Sequence, residues 1–133
     1  MDDKSLAARA LAAKKGAYAP YSNFHVGAAL LCEDGSCFEA ANLENISFGL
    51  SVCAERNAVA TAVNAGHRRF AKIAIASDGD SCVPPCGACR QVLREFCEDM
   101  DILLVDPDGI WRNYKLADLM PEAFSSFPRE PGP

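Results

Sequence analysis

The chain has no long apolar run, no basic stripe and few histidines. No apolar stretch reaches the roughly 18 residues that a membrane span needs. The start, Met1-Asp2-Asp3-Lys4, is acidic and has no apolar h-region, so it does not read as a secretory signal. The location expected is therefore the cytoplasm. Lys and Arg number 13 against 18 Asp and Glu, for a formal net charge of −5. The cations are scattered. Their densest group, His67-Arg68-Arg69, follows an expected helix end, where such charges offset the dipole. A protein gripping a polynucleotide must neutralise phosphates, so this balance argues against a nucleic acid polymer as partner. A small neutral ligand stays open. His25 and His67 are the two histidines, and they stand far apart. No repeat, linker or low-complexity block breaks the chain.

The 133 residues have the size of one compact domain, and half of them are apolar, enough for a real core. An alanine-rich amphipathic helix is expected over 3–15, closed by Gly16. Strands are expected at 25–32 and 37–42, joined by the Glu33-Asp34-Gly35-Ser36 turn. Helix follows at 52–65, strand at 71–77, helix at 86–97, then strands at 101–106 and 110–114. A short helix near 116–119 precedes a Pro-rich tail, expected to be ordered only in part from about 126. A hairpin followed by strand–helix–strand units predicts helices packed on a five-stranded mixed sheet. The helices beginning near Cys53 and Cys86 each follow a loop, so their N-termini are expected to meet at one edge of that sheet.

Seven cysteines are many for this length, and the count is odd. Without a signal peptide they point to metal or catalysis rather than to a disulfide framework. Cys32 and Cys37 flank a hairpin turn and Cys97 lies on a helix face, so these three read as small packing residues. Pro85-Cys86-Gly87-Ala88-Cys89 has the spacing of half a zinc site: residues i and i+3 share a helix face, and the helix N-terminus favours thiolate. The same motif also serves redox pairs and zinc ribbons. The opening hairpin does not suit a thioredoxin-like unit, and a ribbon needs a second CxxC or a His pair, neither of which exists here. Cys53 remains as third ligand, in Cys53-Ala54-Glu55-Arg56. Three protein ligands leave a fourth position for water, the arrangement of a catalytic zinc. Glu55, at the open first turn of its helix, is placed for general acid–base work there. Cys82 is the weaker candidate for a fourth ligand. Three thiolates and one zinc ion sum to −1, so Arg56 is expected to donate hydrogen bonds to the thiolates. Arg90 has two readings of similar weight, the same charge offset or an exposed helix arginine.

These residues resemble the cytidine deaminase superfamily: Cys53-Ala-Glu55, then Pro85-Cys86-Gly-Ala-Cys89-Arg-Gln91. Its small members that use three cysteines are resembled further by Tyr18-Ala-Pro-Tyr-Ser-Asn-Phe-His-Val-Gly-Ala-Ala29, by Asn42-Leu-Glu44-Asn45 and by Leu119-Met-Pro-Glu-Ala-Phe124. Together these segments span about residues 5 to 126. The resemblance implies a three-layer α-β-α fold, helices on both faces of the sheet, and one zinc ion per chain. It implies hydrolytic deamination of cytidine and deoxycytidine to uridine and deoxyuridine, with ammonia released, as in pyrimidine salvage. Glu55 would move the protons. Asn42 and Glu44 would hold the ribose hydroxyls, Phe24 would pack against the pyrimidine, and the backbone of Ala54 would meet the amide edge of the base. The resemblance also implies a homotetramer with shared active sites, Phe124 reaching the base in a neighbouring subunit. Phe48 stands where the family often has tyrosine, so a polar contact near the sugar or across the interface is missing. Three rival readings accompany this one: another nucleoside substrate such as a blasticidin-type antibiotic, a polynucleotide-editing deaminase, and a zinc-stabilised binding module.

Overall fold

The structure, a computed structural model, describes residues 1–80 and 82–127. The expected tail therefore lies, from residue 128 on, outside the described residues. In chain order the elements are α1 (Asp3–Ala13) with a 3-10 turn (Lys14–Gly16), β1 (Val26–Cys32), β2 (Cys37–Ala41), a 3-10 turn (Phe48–Leu50), α2 (Ala54–Asn64), β3 (Phe70–Ser77), α3 (Gly87–Phe96), β4 (Asp101–Val105), β5 (Trp111–Lys115) and α4 (Leu116–Leu119).

The five strands form one mixed sheet in the order β2-β1-β3-β4-β5. The β1–β2 hairpin closes on Gly35, whose φ of +91° suits glycine, while Ser36 N donates to Asp34 Oδ1 at 2.9 Å. β1 runs antiparallel to β3, and β3 runs parallel to β4. A parallel pair needs a long crossover, and α3 supplies it.

Strand alternation divides the core in two. Ala28, Leu30, Ile73, Ile75, Ile102 and Leu104 face α2, α3 and α4. Ala29, Leu31, Ala74, Ala76, Leu103 and Val105 face α1, which covers them with Leu6, Ala7 and Ala10. Because β3 and β4 are buried on both faces, they read as continuous apolar runs. Helices thus cover both faces, as a three-layer α/β fold requires. The α1 layer lies very close to the sheet. A Cβ at Gly27 would come 2.2 Å from Ala10 O and 2.6 Å from Lys14 N, so only glycine lets the two backbones approach. Among the described residues, no helix is long and apolar enough to cross a membrane.

Candidate active site

α2 and α3 begin one residue later than their flanking cysteines. Cys53 and Cys86 are the N-cap residues, both extended (φ −68°, ψ 154° and φ −66°, ψ 166°). The sequence reading put both inside their helices. The cap position differs in kind: an extended backbone there swings the side chain back over the open helix end. Cys89, in the first turn of α3, completes the cluster. Cys53 Sγ lies 3.8 Å from Cys86 Sγ, and Cys86 Sγ lies 3.3 Å from Cys89 Sγ. All three sulfurs fall within 4.8 Å of one another. The two N-termini meet beyond the carboxyl end of β3, where Cys53 and Cys86 line one cavity with Ile75 and Ser77. Ligands of open α/β sheets collect at this end of the strands.

The donor set fits zinc. Three soft thiols around one point form a trigonal base with a free tetrahedral position. The Cys53 thiol is lowered to about 5, first because the Cys89 thiol donates to it, then because Arg56 does. Cys89 is raised, first because its thiol donates to Cys53 and then because it is buried. Arg56 Nη2 sits 3.7 Å from Cys53 Sγ and also donates to Ser51 O at 3.4 Å. Its Nε is buried with no partner among the described residues.

Glu55 follows in the first turn of α2 and is only 5% exposed. Burial first, then the charge of Cys53, raises its pKa. A buried carboxyl beside a thiol cluster in a cavity is a candidate for proton transfer.

The cluster and Glu55 open into a cavity of about 350 Å³, lined also by Phe24, Asn42, Glu44, Ala54 and Ser77. None of its described lining residues is Lys or Arg. Asn42 and Glu44 are i and i+2 on an extended segment, so they project together. That segment is pinned by Tyr18 N to Asn42 O at 2.9 Å and Glu44 N to Tyr18 O at 2.8 Å. Asn42 clips the neighbouring loop, since its Nδ2 donates to Phe24 O and its Oδ1 accepts from Val26 N, both at 2.9 Å. The Glu44 carboxylate accepts from the Ser22 hydroxyl and from the backbone N–H groups of Tyr21 and Ser22. The Ser22 hydroxyl is the leading cause that holds Glu44 below the usual carboxylate range.

Several residues lie elsewhere. Cys82 stands apart from the thiol cluster and donates to Leu104 O at 3.0 Å. Phe124 does not line the cavity. It is 61% exposed, and its ring packs edge-on to Phe127 at 5.5 Å. Phe48 is exposed too, 5.9 Å from the ring of Tyr21. Arg90 fits neither of its two readings. Its guanidinium turns from the thiols and donates to the carbonyls of Pro85 and Leu119. Sequence reasoning missed Ser22 and Ser77. Ser77 is 2% exposed and ends the β3 alternation on the face of Ile73 and Ile75. A polar residue closing an apolar strand was its one signal.

An α/β sheet with two helix N-termini gathering three thiols and a buried acid over one cavity has the composition of a catalytic metal centre. Residues 1–104 match the model described as the cytidine and deoxycytidylate deaminase zinc-binding region, and the chain belongs to that family. The cytidine deaminase of Halalkalibacterium halodurans is 46% identical over 127 residues, covering 95% of this chain and 96% of its relative. That of Mycobacterium tuberculosis is 40% identical over 132 residues, covering 98% and 96%. The crystal structure of cytidine deaminase from Burkholderia pseudomallei superposes with a TM-score of 0.90 at 45% identity, covering 93% of this chain and all of the other.

Proposed function

We propose that this chain hydrolyses the exocyclic C–N bond of cytidine and deoxycytidine, giving uridine or deoxyuridine and ammonia in pyrimidine salvage. The observation that carries this reading is the buried Glu55 beside three convergent thiols, two of which, Cys53 and Cys86, line one nucleoside-sized cavity with it. Cys53, Cys86 and Cys89 would hold one zinc ion per chain. When bound, zinc supplies a Lewis acid that lets water lose a proton near neutral pH.

Glu55 takes that proton and delivers it to N3 of the base. It then takes the remaining proton of that water oxygen, now bonded to C4, and gives it to the exocyclic nitrogen, which leaves as ammonia while the oxygen stays on C4 as the carbonyl. The raised pKa of Glu55 suits both halves of the shuttle. Arg56 offsets the surplus negative charge of the thiolates. Phe24 packs on the pyrimidine, and the Ala54 backbone meets its amide edge. Asn42 and Glu44 face the sugar diol at the mouth, with Ser22 and Phe24 O fixing their orientation. The absence of a described cationic lining residue, together with the Glu44 carboxylate, disfavours a 5′-phosphate. Nucleosides rather than nucleotides therefore fit the cavity.

The same reading includes a homotetramer with shared active sites. Ile46, Phe48, Leu50 and Phe124 are exposed, a supply of apolar surface that association would bury. A cytoplasmic setting belongs to it as well, because reducing surroundings keep the three thiols available to metal.

The test is the ultraviolet change on mixing the zinc-loaded protein with cytidine, with ammonia assayed and Glu55→Ala as control. Loss of the cytidine band with ammonia release, abolished in a variant that keeps its zinc, is the expected result. An unchanged spectrum with one zinc per chain would overturn the substrate. Activity persisting in Glu55→Ala would overturn the proton shuttle.

A further inference from the structure

Arg90 lies in the first turn of the helix that carries Cys86 and Cys89, yet it serves the opposite side. Its Nε donates to Pro85 O at 2.8 Å, and its Nη1 donates to Leu119 O at 2.7 Å. One residue on, Gln91 Nε2 donates to Phe124 O at 2.8 Å. Two consecutive side chains of α3 thus hold the backbone of segment 119–124 at both ends.

The Pro85 carbonyl is a sensitive place to hold. Pro85 immediately precedes Cys86 and is buried. Pro84 and Pro85 have no N–H, so this stretch has little backbone hydrogen bonding of its own with which to fix the entry to Cys86. The planar guanidinium fork spans two carbonyls from elements 34 positions apart with one rigid group, which an ammonium cannot reproduce.

Resting on the reading of Cys86 as a zinc ligand, we infer that Arg90 is a positioning residue that couples the C-terminal segment to the metal loop. One guanidinium sets the peptide leading into Cys86 and the end of α4 at once. Coupling between two sites is reciprocal. Zinc binding therefore tightens the Leu119 end of the segment, and freeing that end from Arg90 loosens zinc, whereas the Phe124 end, held by Gln91, shares no group with the metal loop. Arg56 offsets charge at the thiols, while Arg90 sets where one of them stands.

The experiment compares Arg90→Met, Arg90→Lys and Gln91→Ala. In the zinc-loaded proteins challenged with a chelator, Arg90→Met is expected to release zinc about tenfold or more faster, the range seen when outer partners of metal ligands are removed. Arg90→Lys should recover part of that loss, since one ammonium can still reach one carbonyl. Gln91→Ala should release zinc at the wild-type rate. In the cobalt-substituted proteins, the thiolate-to-cobalt absorption bands should shift in Arg90→Met and stay unchanged in Gln91→Ala. Amide hydrogen exchange at the Leu119 end of the segment should quicken in Arg90→Met, and in the wild type after zinc removal, but not in Gln91→Ala. Faster exchange in Arg90→Met with unaltered zinc release and cobalt bands would overturn the coupling, leaving a simple strap. Equal zinc loss in Gln91→Ala would overturn it too. If Arg90→Met does not fold, Arg90→Lys carries the same comparison. Wild-type cobalt protein without thiolate bands would refute the ligand reading itself, a failure distinct from that of the clamp.

Discussion

The N-terminus of α1 and those of α2 and α3 share one backbone geometry and opposite chemistry. Asp2 caps α1 from an extended conformation, and its carboxylate accepts from Ser5 N at 2.8 Å. Cys53 and Cys86 hold the same extended conformation, yet neither side chain caps its helix. A cap oxygen satisfies an otherwise orphaned N–H and contributes about 1 kcal/mol. The two cysteines forgo that stabilisation. Their open helix ends keep unpaired N–H groups and partial positive charge facing the thiol cluster, which favours thiolate. Ends built for stability and ends built for chemistry therefore differ by a single side chain at one defined position.

Converting one kind of end into the other breaks this comparison most sharply. Cys86→Asp installs a conventional cap. Turnover should fall by about a thousandfold or more, because the metal contribution is worth several kcal/mol. The melting temperature of the metal-free protein should hold or rise. A variant with normal turnover would refute the role of Cys86.

The next effect belongs to the α1 layer, where chemistry is absent. Gly27→Ala forces a methyl against Ala10 O and Lys14 N. A cost of about 3 kcal/mol or more in unfolding free energy is expected, since backbone rather than a flexible side chain must move. Denaturant unfolding measures it, and a shift below about 1 kcal/mol would show that α1 tolerates displacement.

Arg56→Gln tests the charge at the chemical ends. Zinc affinity or turnover should drop about tenfold to a hundredfold. Unchanged zinc content together with unchanged rate would remove Arg56 from the account.

The smallest effect is at the capped end. Asp2→Ala should lower the melting temperature slightly and leave turnover per zinc untouched. The hydrogen bond from Ser5 N is the leading cause that holds the Asp2 carboxyl below its ordinary 3.8. A depressed carboxyl contributes stability above its unfolded value and loses it as pH falls through the folded one. The stability difference between wild type and Asp2→Ala should therefore begin to shrink near pH 3.8 and disappear as pH falls through the lower folded value, as melting curves across that range will show.

Much of the architecture was open to reading because local patterns carried it. Continuous apolar runs at β3 and β4, the Asp34-Gly35 turn and the glycines after the helices are short-range signals, and the element order follows them. The i, i+3 spacing of Cys86 and Cys89 implied that their sulfurs share a point, and they do. The misplaced helix starts at Cys53 and Cys86 have a physical reason. A cap is a backbone state, and cysteine is not a usual cap, so no residue type marked the boundary. Arg90 was misread because its partners, Pro85 O and Leu119 O, are main-chain atoms that no side-chain pattern encodes. Asn42 and Glu44 read as polar ligands for a sugar, while their bonds to Phe24, Val26, Tyr21 and Ser22 depend on a loop folding back over them.

The sequence by itself determined the layers, the family and the donor chemistry of three thiols and a carboxylate, because periodicity and residue type are local properties. Only the tertiary structure decided that Cys53, 33 positions from Cys86, stands 3.8 Å from it. It also decided that Glu55 is buried deeply enough to be raised, that Phe124 lies outside the cavity of its own chain, and that Arg90 ties the C-terminal segment to the metal loop. Each of these depends on how separate elements pack, and packing sets burial and distance where sequence spacing sets neither.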